Sequence, residues 1–157
     1  MEAALRTAYN LITGENLANI EFSAVRGLEG VKEATVNIKG TDVRIAVAHQ
    51  MGNIATVLER VRSARDAGSE PPYHFIEVMA CRGGCIGGGG QPYGGTDEIR
   101  RKRIAGIYSD DKNCTVRMSH ENPAVQKLYE EFLDAPLSKK SHEFLHTHYT
   151  PRPVYSR

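Results

Sequence analysis

The chain has 157 residues, 40% hydrophobic and 25% charged, with a net charge of +1. That is the size and make-up of one folded domain with enough apolar residues for a core. The near-neutral balance gives no footprint for nucleic acid or an anionic membrane, and no apolar run approaches the ~20 residues of a membrane span. Nothing at the start reads as a secretory leader. Three cysteines do not make a disulfide framework. They fit a reducing compartment, so the cytoplasm is the expected location.

The first element is MEAALRTAYNLITG, where Ala3, Ala4, Leu5, Ala8, Leu11 and Ile12 form an apolar stripe at helical spacing and Gly14 is a fitting stop. No capping Ser, Thr, Asp or Asn precedes it, so sequence upstream of Met1 is expected. In NIEFSAVRG, residues 19–27, Ile20, Phe22 and Ala24 alternate with polar positions and predict a half-buried strand. Residues 31–38 and 42–48 alternate on either side of Gly40 and predict a hairpin. Residues 53–66 predict a helix with Asn53 as its cap and Gly68 as its stop. After a turn at 69–72, YHFIEVMA at 73–80 predicts a buried strand. Thr96 is placed to cap a helix running to about Tyr108, and SDDKN reads as a loop. Asn122 and Pro123 open a further helix carrying Val125, Leu128, Tyr129 and Phe132. SKKSHEFLHTHY predicts a last short helix, and the tail TPRPVYSR is expected to be extended or disordered. The class predicted is α/β: a twisted sheet with flanking helices, followed by a helical C-terminal wrap.

The chemistry concentrates in EVMACRGGCIGGGGQPYGG, residues 77–95, which holds Cys81, Cys85 and eight of the fifteen glycines. The predicted strand delivers Cys81 at its carboxyl end, where sites gather in open α/β sheets. A 4Fe–4S cubane normally takes four thiolates, and this chain has at most three. Cys114 lies in the polar run DKNCTVR and reads as structural or incidental. A complete cubane site therefore calls for ligands from elsewhere. Three other readings stay open at this point: a Cys81–Cys85 disulfide, a zinc site, and a phosphate-cradling loop. Zinc sites favour tighter cysteine pairs, and no GK[ST] follows the glycines. His146 and His148 read as surface or packing residues. Glu77, Met79 and Cys81 share one side of the predicted strand, where Met79 is by pattern a core residue and Glu77 a paired or solvated carboxylate.

The run EVMACRGGCIGGGGQP, residues 77–92, resembles the third cysteine signature of the iron-only hydrogenases, E-x-M-x-C-x-x-G-C-x-x-G-G-G-Q-P. Further resemblances lie in MEAALRTAY, in NIEFSAVRGLEGVKEATV, and in RKRIAGIYSDDKN, SHENPAVQKLYEEFL and SHEFLHTHY. The last three are similar to the segment called the iron hydrogenase small subunit. The resemblance implies the C-terminal lobe of the hydrogenase fold over 1–95, a small-subunit-like helical segment over 96–149 and a tail over 150–157. It implies Cys81 and Cys85 as two ligands of the H-cluster cubane, with Cys85 bridging to the di-iron subcluster that carries CO, CN and dithiolate ligands. It implies Met79 packed beside that subcluster and Gly88, Gly89 and Gly90 as closely approaching backbone. Arg82 occupies a variable position and receives no role.

The family's other signatures, TSCCPxW and MPCxxKxxE, are absent from these 157 residues. The resemblance therefore implies a partner segment that carries them, with ferredoxin-like or NAD(P)-linked electron-transfer modules beyond it. This chain alone is expected to be inactive. Two rival readings follow. One is a non-enzymatic iron–sulfur assembly protein of the nuclear prelamin A recognition factor type. The other is a subunit that binds a cluster only as a homodimer.

Overall fold

The computed structural model describes residues 1–151. They form two compact units, one spanning Met1–Arg117 and a second beginning at Met118.

The first unit is built on a three-stranded sheet in the order β1-β2-β3: β1 Val31–Ile38, β2 Thr41–His49 and β3 Phe75–Met79. The hairpin forms as its alternation predicts, with Ile38 opposite Thr41 across a two-residue turn at Lys39 and Gly40, both at positive φ. Helix α2, Met51–Asp66, then carries the chain over one face to β3, which pairs parallel with β2. This is a βαβ unit.

The central strand is buried on both faces, and its sequence shows it as the unbroken run IAVA. Ile45 and Val47 face one side, where Leu5 of helix α1 (Glu2–Thr13) and Val25 complete the cluster. Ala46 and Ala48 face the other side against Ile54 and Val57 of α2. Small alanines there let the helix approach closely. Burying each Val or Ile contributes about 1.5–3 kcal/mol.

Helix α1 ends as expected at Gly14, in the left-handed region with φ 79°, and Met1 provides no side-chain cap. It is pinned through Arg6, a buried guanidinium with all five N–H donors engaged. Nε donates to the Ile20 carbonyl, Nη1 to Asp111 and the Arg117 carbonyl, and Nη2 to Glu2 and Asp111, at 3.0–3.2 Å. Arg6 thereby ties α1 to helix α3, Asp97–Asn113. The Arg6 and Arg117 guanidiniums hold the Asp111 carboxyl down to about 2.

Four expectations change. Residues 19–27 form no strand; they are a loop with one 3₁₀ turn at Ser23–Val25, and Phe22 and Val25 cover the sheet cluster from it. Helix α2 starts at Met51, with Gln50 at positive φ as its first flanking residue, and Asn53 instead donates from Nδ2 to the His49 carbonyl at 2.8 Å. Strand β3 is an edge strand, not a buried one: Phe75 and Val78 are about half exposed. Helix α3 runs on through SDDKN to Asn113 because Asp111 is held by Arg6 and Arg117.

In the second unit, Asn122 caps α4, Pro123–Leu128, by accepting from the Ala124 amide, and Pro123 occupies its first turn. A π turn at Tyr129–Leu133 follows. Ser138 caps α5, Lys139–Leu145. His146 follows α5, and its Nδ1 lies 2.8 Å from that of His142. The expectation for the tail falls largely outside the described residues.

Candidate metal centre

Strand β3 ends at Met79, whose carbonyl accepts from the Gln50 amide at 2.9 Å. The chain then folds back on itself. The Gly84 amide donates to the Cys81 carbonyl at 2.9 Å, and a 3₁₀ turn spans Gly84–Gly87. The Gly88 amide donates to the Cys85 carbonyl at 3.2 Å and the Gln91 amide to the Gly88 carbonyl at 3.3 Å. Three such short loops in succession carry both thiols to one cleft of about 320 Å³, lined by Met79, Ala80, Cys81, Gly84, Cys85, Gly88 and Gly89. Both cysteines are free thiols and exposed, so they are not joined in a disulfide.

Two glycines shape this turn by necessity. Gly84 has φ +77°, and a Cβ there would lie 2.4 Å from the Met79 sulfur. A Cβ on Gly87 would lie 2.1 Å from the Arg82 carbonyl oxygen. Of the glycines implied by the resemblance, Gly88 is the one beside a thiol: its Cβ would sit 3.5 Å from Cys81 Sγ. Gly89 lines the cleft with open space around it, and Gly90, at φ +86°, lies outside the lining.

The structure thus gathers Met79, Cys81, Cys85, Gly88 and Gly89 in one place. Cys114 flanks the C-terminus of α3, is exposed, and does not line this cleft. Glu77 is paired, accepting from the Met1 amino group at 3.1 Å. Two buried titratable groups lie on β1 and β2: Lys32, which donates to the Gly27 carbonyl, and His49, the strand partner of Met79. Burial pushes both below their usual pKa.

Sequence reasoning assigned no role to Arg82, which forms a paired contact with Asp97 at 2.8 and 2.5 Å. It also passed over Arg103, which donates to the Ile86 and Pro92 carbonyls at 2.9 and 3.0 Å. The run RRKR at 100–103 was the available signal.

Among the described residues no group of three or more His, Cys, Asp or Glu side chains converges as a metal site. Two thiols are what this cleft offers. Soft thiolates set against side-chain-free backbone suit an iron–sulfur centre, whose sulfurs accept from backbone amides, provided the remaining ligands come from another segment.

The sequence pattern of the iron only hydrogenase large subunit, C-terminal domain, matches residues 1–89. The chain belongs to the iron-only hydrogenase family. The iron hydrogenase small subunit pattern matches residues 97–152, beginning at the first residue of α3. The NADP-reducing hydrogenase subunit HndD of Solidesulfovibrio fructosivorans is 50% identical over 97% of the chain. The chain spans 25% of that protein's length. A solved FeFe-hydrogenase, HydA1 of Chlamydomonas reinhardtii, superposes with a TM-score of 0.72 at 37% identity, over 95% of this chain and 43% of its own. The human nuclear prelamin A recognition factor is 33% identical over 92% of the chain and 30% of its own length. The α/β sheet with flanking helices is the hydrogenase C-terminal region. Among the described residues no helix is long and apolar enough to cross a membrane.

Proposed function

We propose that this chain is the C-terminal part of an iron-only hydrogenase, a catalyst of the reversible reduction of two protons by two electrons to dihydrogen. The observation that carries the reading is the cleft itself. Cys81 and Cys85 open into one space whose lining includes the Met79 thioether and three glycines. Cys81 and Cys85 supply two of four cubane thiolates, with Cys85 the bridge to the di-iron subcluster and Met79 packed beside it. Gly88 and Gly89 are the backbone that approaches the cluster, while Gly90, outside the cleft lining, serves the turn that follows. The bound H-cluster, with its CO, CN and dithiolate ligands, supplies electron storage and the metal site for proton–dihydrogen interconversion.

The chain's own residues position and shield. Met79 packs against the core behind it and gives the cleft an apolar floor. Residues 1–95 form the large-subunit lobe and 96–149 the small-subunit segment. The remaining two ligands come from a partner segment bearing TSCCPxW and MPCxxKxxE, and electrons arrive through ferredoxin-like or NAD(P)-linked modules. Three free thiols suit a cytoplasmic setting.

The test is to mature the chain together with such a partner segment and record the infrared spectrum. Carbon monoxide and cyanide stretching bands are expected, and are lost in Cys81→Ser and Cys85→Ser. Wild type without bands after maturation overturns the hydrogenase reading and favours an assembly role like that of prelamin A recognition factor proteins. Hydrogen evolution by the matured chain without its partner would refute the claim that it needs one.

A further inference from the structure

Arg82 stands between the two cysteines and is the best-connected side chain of the turn. Besides its paired bonds to Asp97, it donates from Nη1 to Gln50 Oε1 at 3.3 Å. Asp97, the first residue of α3, is held from its other side by Arg100 Nη1 at 2.9 Å. Arg103, one turn along the helix, reaches back to the Ile86 and Pro92 carbonyls on either side of the glycine run. The contacts therefore interlock: one arginine reaches out of the cysteine turn to the helix, and another reaches out of the helix to the turn. No residue of the helix is fully buried, and its half-buried Ile104 and Tyr108 line a cavity with Met79 and Ile86. Its polar contacts with the turn are the ion pair and hydrogen bonds above.

We propose that Arg82, Asp97 and Arg103 are positioning residues that clamp the first turns of α3 onto the cysteine loop, and that the clamp's charges set the reduction potential of a cluster held by Cys81 and Cys85. Three guanidiniums and one carboxylate leave an excess of positive charge on the segment that carries both thiols. Positive charge favours the reduced, more negative state of a cluster and raises its potential. The charge part rests on the H-cluster reading above; the clamp part does not.

Two measurements separate them. In hydrogen exchange on the chain as it stands, Arg82→Gln and Asp97→Asn are expected to speed exchange of the Gly84, Gly88 and Gln91 amides several-fold. The β1 and β2 amides should stay unchanged. Both side chains are more than a third exposed, so folding survives the substitutions. Exchange in the turn that rises less than about twofold in both variants overturns the clamp.

In the matured complex with the partner segment, a redox titration followed by electron paramagnetic resonance reads the cubane potential. Arg82→Gln should lower it, Asp97→Asn should raise it, and Arg82→Lys should hold it near wild type while still loosening the turn. A purely structural role would not split the two variants in sign. Shifts of the same sign, or none, in a complex whose wild type holds the cluster overturn the charge effect. If wild type holds no cluster, the H-cluster reading fails and the charge effect falls with it, while the exchange result still decides the clamp.

Discussion

Gly84→Ala isolates what the cysteine turn demands of its backbone. At φ +77° an L-residue costs about 1–2 kcal/mol relative to glycine. The added Cβ would also stand 2.4 Å from the Met79 sulfur. Met79 is flexible and yields in part, so the overlap adds about 1 kcal/mol. The total loss expected is about 2–3 kcal/mol. Gly89→Ala in the same loop meets nothing within 4 Å, and its expected change stays within about 0.5 kcal/mol. Equilibrium urea unfolding followed by circular dichroism measures both, with m held as the check on two-state behaviour. The double variant Met79→Ala, Gly84→Ala divides the Gly84 cost. Shortening Met79 removes the overlap and leaves the backbone strain, giving a coupling of about 1 kcal/mol. Equal losses at Gly84 and Gly89, or no coupling to Met79, would refute the reasoning.

Arg6→Met removes a buried guanidinium whose five donors are all used, and is expected to cost about 3 kcal/mol in the same urea assay. A loss under about 1 kcal/mol would show that α1 does not depend on this node. Asp111 has a folded-state pKa of about 2, below its unfolded value of about 3.8. Its contribution is full above about pH 4 and is lost as pH falls towards about 2. An acid titration of the urea midpoint should show that loss in wild type and not in Asp111→Asn. Thr96→Ala removes the cap whose Oγ1 accepts from the Ile99 amide at 3.3 Å, and should cost about 1 kcal/mol, visible as reduced protection in the first turn of α3.

Local rules carried much of this fold. Gly14, the Lys39–Gly40 turn, Thr96 and the Asn122–Pro123 pair each act through their own backbone or nearest amides, so their meaning is present in a short window of sequence. What escaped depended on distant partners. Ile20, Phe22 and Ala24 alternate like a strand, yet that segment pairs with no strand among the described residues, and Phe22 packs on the core from a loop. Strand β3 read as buried because YHFIEVMA is mostly apolar, while its place at the edge is set by the order of pairing. The polar run SDDKN became helix because Arg6, over a hundred residues away, holds Asp111. At the site, the cysteines, Met79 and the glycine run were legible as a motif. Arg82 was not, because its variable place in the signature hides a contact that exists only once α3 has folded back.

The segment from Gly90 to Thr96 connects the cysteine turn to the helix that grips it. A tether this short keeps the Asp97 carboxylate at a local concentration in the millimolar range or above around Arg82. Severing the backbone there, with every residue retained, would turn that contact into a bimolecular one. The grip on the cysteine turn would then depend on how much of the second piece is present. Continuity of the chain thus supplies affinity that the two polar contacts would otherwise have to provide alone.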